Sequence, residues 1–553
     1  MTHYDFNSRR SVVRCTGGMV AASQPLAALA GVEALRAGGD AVDAAVTTAA
    51  VLNVVEPVST GIGGDMFALV WRADERKLYA LNGSGRAPTA ATLDAFYARG
   101  LTKTDTIPNT GPLPITVPGA LHGWDALLKR WGRRTLADAL TPAIRYAHAG
   151  YPVSEFIADA WARNAPRMRR FPDTVRTYLI DGEAPRAGQV MRLPALGRSF
   201  ERIAAEGIGV FYRGEIGQAI AAAVQAEGGF LTLDDLAAHT STWVEPIHAL
   251  YHGHQVYECP PNGQGLAALL ALNLAATYNL RAMSAADATH VLIEAMKLAF
   301  ADAYRYIADP EHVDVPVEGL LSPAYTAERR RLIQMDQAGD PAAGMPPAGD
   351  DTVYLTVVDE QRNAVSFINS NYQGIGSGMV GGHTGIALQN RGVGFSLDPQ
   401  HPNCVAPACP AAASQSFAAR RKPAALGGKR PYHTIIPAMI LRDGLPLYSF
   451  GVMGGQMQPQ GHLQVAVNLI DMGMDPQRAL DAPRFRVIEG KRVSLEPGFP
   501  ALVADELRRR GHEVVAPEHP LTYGGGQIIM LDPQTGALAG GSDPRKDGCA
   551  IGY

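Results

Sequence analysis

The chain has 553 residues, 46% hydrophobic and 18% charged, which describes a folded protein with two or more cores or one large layered domain, not a disordered one. A net charge of −4 with no long basic run argues against nucleic acid as a partner. No stretch reaches the roughly 18 uninterrupted apolar residues of a membrane-spanning helix.

Ser8-Arg9-Arg10-Ser11-Val12-Val13 faintly resembles a twin-arginine export signal, but Arg14, Thr16, Gly17 and Gly18 stand where its apolar run belongs, so a cytoplasmic protein is expected. The cysteines (Cys15, Cys259, Cys404, Cys409, Cys549) are scattered and odd in number, which fits neither a disulfide framework nor a metal site. Gly18 to Ser23 reads as the first strand. Pro25 opens a helix with an apolar face at Leu26, Leu29, Val32 and Leu35, stopped by Gly38-Gly39. Asp40 caps a second helix, Ala41 to about Val54, apolar on nearly every side and therefore buried. Gly61-Ile62-Gly63-Gly64-Asp65 lacks the Gly-Lys-Ser/Thr ending of a phosphate loop and reads as a tight turn against packed backbone. A hairpin, Met66 to Trp71 and Lys77 to Leu81, leads to the glycine-rich loop around Arg86, an arginine that suits either a carboxylate clamp or a solvated surface.

Residues 115 to 335 read mainly helical, for example Leu121 to Trp131, Leu136 to Ala149, Ala195 to Glu206, Ile216 to Ala226 and Ala285 to Ala308. Val244 to Tyr257 reads as two strands, and His290 and His312 as packing or surface residues. A Pro/Gly/Ala-rich run, Asp336 to Gly349, then meets a strand, in which Val353, Leu355 and Val357 alternate with Thr352, Tyr354 and Thr356. Thr352 stands at the junction. A Thr hydroxyl needs a base beside it, and cutting the peptide bond before Thr352 would supply one in its own α-amine. Taken alone, a strand that opens with Thr is unremarkable. Beyond it come a strand to Ser370, the strands Ile435 to Leu441 and Leu447 to Gly451, and Gly454-Gly455 before a helix, His462 to Met472. Two glycines there can aim N–H groups at an anion. Gln527 to Leu531 and Leu538 to Gly541 form a last hairpin, and strands from both halves under helices suggest a layered sandwich.

Met19-Val20-Ala21-Ala22-Ser23, the run Ala37 to Ala45, Gly61 to Asp65, Thr352, Asn363-Ala364-Val365, Lys429-Arg430-Pro431 and Ser542-Asp543-Pro544-Arg545 resemble the γ-glutamyltranspeptidase family of N-terminal nucleophile hydrolases, in order and over nearly the whole chain. The resemblance implies an α+β fold, a four-layer αββα sandwich. It implies a precursor cut between Asp351 and Thr352 into a large subunit, 1–351, and a small subunit, 352–553, that stay together as a heterodimer, with further pairing of heterodimers left open. It implies Thr352 as nucleophile, Ser370 as the hydroxyl orienting its amine, and Gly454 and Gly455 as oxyanion donors, without a metal or organic cofactor.

Departures from the family pattern matter as much. Ser84 falls where γ-glutamyl transferases carry the arginine for the substrate α-carboxylate, with Arg86 two residues on. Gly394 replaces their aspartate for the α-ammonium, beside Arg391. His433 and Thr434 replace paired serines, and Tyr372 replaces an asparagine. Arg86, Tyr372, Arg391, His433 and Thr434 are thus the expected substrate contacts. A site that loses a carboxylate and gains an arginine should favour a small acidic amide without an amine. The pattern leans towards the branch with oxamate amidohydrolases and glutaryl-cephalosporin acylases. True γ-glutamyl transfer with glutathione hydrolysis is the alternative, and an uncleaved scaffold protein a more distant one.

Overall fold

The computed structural model describes residues 10–341, 352–405, 428–517 and 519–553. Asp351, Cys409, the Ser8-Arg9 pair and most of the linker before Thr352 lie outside the described residues. Two seven-stranded sheets dominate, and every pairing within them is antiparallel. The first runs Val13–Cys15, Leu538–Ser542, Gly525–Leu531, Leu445–Met453, Ala438–Arg442, His254–Glu258, Ile247–Tyr251. The second runs Cys549–Gly552, Met19–Ala22, Val353–Val358, Ala364–Ser370, Asp65–Arg72, Lys77–Gly83, Thr242–Val244. Each sheet mixes strands from before and after Thr352, so neither segment could complete a sheet alone.

The strand after Thr352 shows why. All of Val353–Val358 is buried. Val353, Leu355 and Val357 join an apolar cluster with the helices Ala41–Val55, Ala120–Trp131 and Leu136–Ala149. Tyr354 and Val358 join a second cluster with Met439, Met453 and Ile529 of the other sheet. A third cluster sets Ala438, Ile440, Phe450 and Ile528 against the helices Gly265–Ala275, Ala285–Tyr306 and Met457–Ile470. The strand period is therefore present, but both faces are apolar because both are covered.

The helices start where their caps dictate. Gln24 accepts from the Leu26 and Ala27 amides ahead of Pro25–Arg36, and Asp40 forms a capping box with Asp43 ahead of Ala41–Val55. Other boundaries differ from the sequence reading. Val244 to Tyr257 holds parts of three strands in two sheets: Thr242–Val244 pairs with Lys77–Gly83, and the chain crosses at Glu245-Pro246 to the hairpin Ile247–Tyr251 and His254–Glu258. The helix expected from His462 begins at Met457, because Pro459 lies in its first turn, where no N–H partner is needed. Strand Ala438–Arg442 starts three residues after the expected Ile435. The strands Val13–Cys15 and Cys549–Gly552, too short for a clear period, close one edge of each sheet. The turn at Gly61–Asp65 is packed against backbone as expected: a Cβ on Gly63 would lie 2.0 Å from the Ala387 carbonyl oxygen, and one on Gly64 2.2 Å from that of Ser370.

Candidate active site

Two strands from different sheets cross near the predicted machinery. Thr356 Oγ1 lies 2.6 Å from Ser449 Oγ, and Gly451 is bare where the Tyr354 ring presses on it. Moving two residues towards Thr352 on one strand thus moves two residues towards Met453 on the other. Thr352 stands just before the first of these strands, and Gly454-Gly455 follow the end of the second, Leu445–Met453. Both glycines hold positive φ, +120° and +55°, a region open to glycine at little cost. The Gly454 carbonyl accepts from Met457 N–H and the Gly455 carbonyl from Gln458 N–H, so both are turned onto the helix start.

Ser370 is the meeting point. Its hydroxyl oxygen accepts from Thr352 Oγ1 (3.1 Å), from the Tyr372 amide (2.8 Å) and from Arg391 Nη2 (3.4 Å). Thr352 is 1% exposed and Ser370 fully buried. Arg391 also donates through Nη1 to Thr434 Oγ1 at 2.7 Å, and its guanidinium carbon sits 4.1 Å from the centre of the Tyr372 ring. Tyr372 itself is held at φ +82°, an uncommon conformation for a bulky residue. Arg391 is completely buried, its Nε has no hydrogen-bond partner, and among the described residues no carboxylate forms an ion pair with it. Burial pulls its pKa down to about 10, so at neutral pH it remains a cation.

Of the predicted residues, Thr352, Ser370, Tyr372, Arg391 and Thr434 therefore form one contact network. Arg86 lies in another: both Glu311 oxygens accept from its Nη2 (2.8 and 3.0 Å), and Arg430 Nη1 holds the same carboxylate at 2.7 Å. The charge of Arg86 is matched within the protein. His433 lies beside the network, bonded to Asp65, the cross-strand neighbour of Ser370. Asp65 is fully buried: its Oδ1 accepts from the amides of Gly85 and Gly119 and from Gln389 Nε2, and its Oδ2 meets His433 Nε2 at 3.0 Å. Ile435 N–H donates to His433 Nδ1, which assigns the ring proton to Nε2. Sequence reasoning treated Asp65 only as the end of a turn. The available signal was an acid opening the apolar run Met66 to Trp71 of a strand, where Asp is disfavoured.

Burial and the nearby Arg391 cation push His433 down to about 4, against an ordinary value near 6.5. The folded protein resists protonating a ring that the unfolded chain protonates below about pH 6.5. Its contribution to stability is thus complete above that pH and is lost as the pH falls towards 4. Thermal unfolding between pH 7 and 4 should show a falling midpoint, with a smaller fall in His433→Gln; equal slopes in the two proteins would contradict this assignment.

His290, Glu294 and His512 are the one group among the described residues whose ligand atoms lie close enough to share a metal ion. The geometry already has a cation: Lys297 Nζ donates to Glu294 Oε1 (2.8 Å) and reaches His512 Nδ1 (3.3 Å), while His290 and His512 bond to each other. His290 and His312 are both buried, the latter on Asp309. Cys15, Cys259 and Cys549 are free thiols. Among the described residues no helix is long and apolar enough to cross a membrane.

The gamma-glutamyltranspeptidase family profile matches residues 27–553. The Glutathione hydrolase-like YwrD proenzyme of Bacillus subtilis (strain 168) is 37% identical, over 97% of this chain and 98% of its own. The Oxamate amidohydrolase proenzyme of Klebsiella pneumoniae is 36% identical, over 97% and 99%. The crystal structure of cephalosporin acylase from Bacillus halodurans superposes with a TM-score of 0.91 at 46% identity, over 100% of this chain and 99% of that one. With matches of this extent to proenzymes and acylases, the chain belongs to the gamma-glutamyltranspeptidase family of N-terminal nucleophile hydrolases and is an enzyme of that family.

Proposed function

We propose that the protein is a self-processing N-terminal-threonine amidohydrolase that cleaves the amide of a small acidic substrate. The observation that carries this reading is Arg391: a buried guanidinium with no carboxylate in ion-pair contact among the described residues, joined to Thr352 through the hydroxyl of Ser370. A substrate carboxylate supplies the missing counter-charge. Asp65, the acid on the rim of this network, already accepts from Gly85, Gly119 and Gln389 and meets His433, which leaves little for a substrate ammonium. Distance bears on acyl length. Arg391 Nη2 and Thr352 Oγ1 are at most two hydrogen-bond lengths apart. A two-carbon, oxamate-like acyl group spans that gap, whereas a five-carbon glutaryl chain would have to fold back on itself.

In this reading the Asp351–Thr352 bond is cut, residues 1–351 and 352–553 remain as an interlocked heterodimer, and the two sheets with their covering helices make the four-layer αββα sandwich. The interleaving of strands from both sides of Thr352 supports it. Thr352 Oγ attacks the amide carbonyl carbon while its proton passes to the freed α-amine. Gly454 and Gly455 N–H groups take the oxyanion, each worth about 2.7–4 kcal/mol of barrier by analogy with measured donors. The C–N bond breaks and the amine's extra proton leaves with ammonia. Water then attacks the acyl ester, giving its proton to the amine. The C–Oγ bond breaks, and that proton returns to Oγ.

The test is intact-mass measurement of the purified protein followed by a panel of oxamic acid, a glutaryl amide and a γ-glutamyl anilide. We expect two fragments meeting at Thr352 and fastest turnover of oxamic acid. Preference for the γ-glutamyl anilide, with acceleration by glycylglycine, would replace this reading by γ-glutamyl transfer.

A further inference from the structure

We infer that Gln264, on the segment before Thr352, is a positioning residue that holds the oxyanion turn and the acid-binding arm in one fixed geometry; this rests on the amidohydrolase reading above. Gln264 is fully buried at the start of the helix Gly265–Ala275. Its side-chain Nε2 donates to two carbonyls, Thr434 at 2.6 Å and Gly455 at 2.9 Å. Its Oε1 accepts from the Tyr432 hydroxyl at 3.1 Å. Both N–H groups of the amide are thus used, and its orientation is fixed by chemistry: flipped, it would set an oxygen against two carbonyl oxygens.

The backbone around it is locked as well. Gln264 N–H donates to the His433 carbonyl, His433 N–H to that of Asn262, and Asn262 Nδ2 to that of Pro431. Residues 262–264 therefore clamp 431–434, and Thr434 in turn presents its hydroxyl to Arg391. From that clamped segment the Gln264 side chain reaches across to the glycine turn. A Gly-Gly turn at positive φ has many other conformations open to it. Oxyanion donors work only within a few tenths of an ångström of their place. Anchoring the Gly455 carbonyl from outside the helix removes that freedom. Of the side chains that fit, only a primary amide of this length offers two donors and an acceptor here: Glu cannot donate twice, Met not at all, and Asn is a carbon short.

The test uses the processed protein and two reactions. Acylation of Thr352 by the neutral ester 4-nitrophenyl acetate, read by intact mass, needs the nucleophile and the oxyanion turn but not Arg391. Hydrolysis of oxamic acid needs all three. Rates are expressed per competent Thr352, counted by burst titration, so a merely structural role that reduces the folded fraction leaves them unchanged. For Q264M and Q264E we expect both per-site rates to fall about tenfold or more, below the 10²–10³ of losing an oxyanion donor outright, with KM for oxamic acid changed less than kcat. For Y432F, which frees only the Oε1 side, we expect a smaller loss in the same direction. Per-site rates within twofold of the parent in Q264M, or in Q264E and Y432F should Q264M not fold, would overturn the assignment. If the parent is acylated by the ester in a Gln264-dependent way but leaves every acidic amide intact, the acid-amide reading fails and the role of Gln264 stands. If the parent's Thr352 is not acylated at all, both fall.

Discussion

Thr352→Ala is expected to yield a chain that stays in one piece and turns over amide on the order of 10⁵-fold more slowly, the scale of removing a nucleophile from a cooperating site. The loss is double because one hydroxyl has two tasks. In the proposed mechanism it attacks the peptide bond before it, and the cut releases the amine that later serves as its base. Ser370 cannot take over, since its oxygen already accepts from Thr352, the Tyr372 amide and Arg391. Thr352→Ser keeps the hydroxyl and should process more slowly but completely. The measurements are intact mass over days and ammonia release. Cleavage at 351–352 persisting in the alanine variant would remove the role given to this residue.

Arg391→Met should move activity and stability in opposite directions. With substrate bound, the variant leaves a carboxylate buried without its partner, at a cost of about 3–5 kcal/mol, or roughly 10²- to 10⁴-fold in kcat/KM for oxamic acid. Without substrate, the parent carries a buried cation with no carboxylate in ion-pair contact among the described residues, Asp65 acting on it only from a distance, so an apolar side chain of similar length should raise the thermal midpoint. Arg391→Lys is no rescue, because an ammonium cannot reach Ser370 and Thr434 in the planar fork that a guanidinium provides. Acylation by a neutral ester should be nearly unaffected. A variant with lower stability and full oxamic acid turnover would show Arg391 to be a packing residue.

Much of the architecture was legible locally. The alternation after Thr352, Pro25 opening the first helix, the cap at Asp40 and the apolar helix that follows are written within a few residues of where they act. So were Thr352 at its loop-to-strand junction and the glycine pair after Leu445–Met453. Short edge strands escaped because three or four residues carry no period, and the helix from Met457 was cut short by a proline harmless in a first turn.

What the sequence by itself determined is the family and the order of most elements, since each depends on residue types at fixed local spacing. What only the tertiary structure decided is which charges are answered. Arg86 and Arg391 both lie near glycines, and nothing local separates them. Folding brings Glu311 to the first and buries the second beside Ser370 and Thr434. The same holds for Asp65 and Gln264, whose partners come from distant segments. Pairing in a low-dielectric interior depends on where chains cross, and that is settled by packing two sheets together, not by the spacing of residues along either.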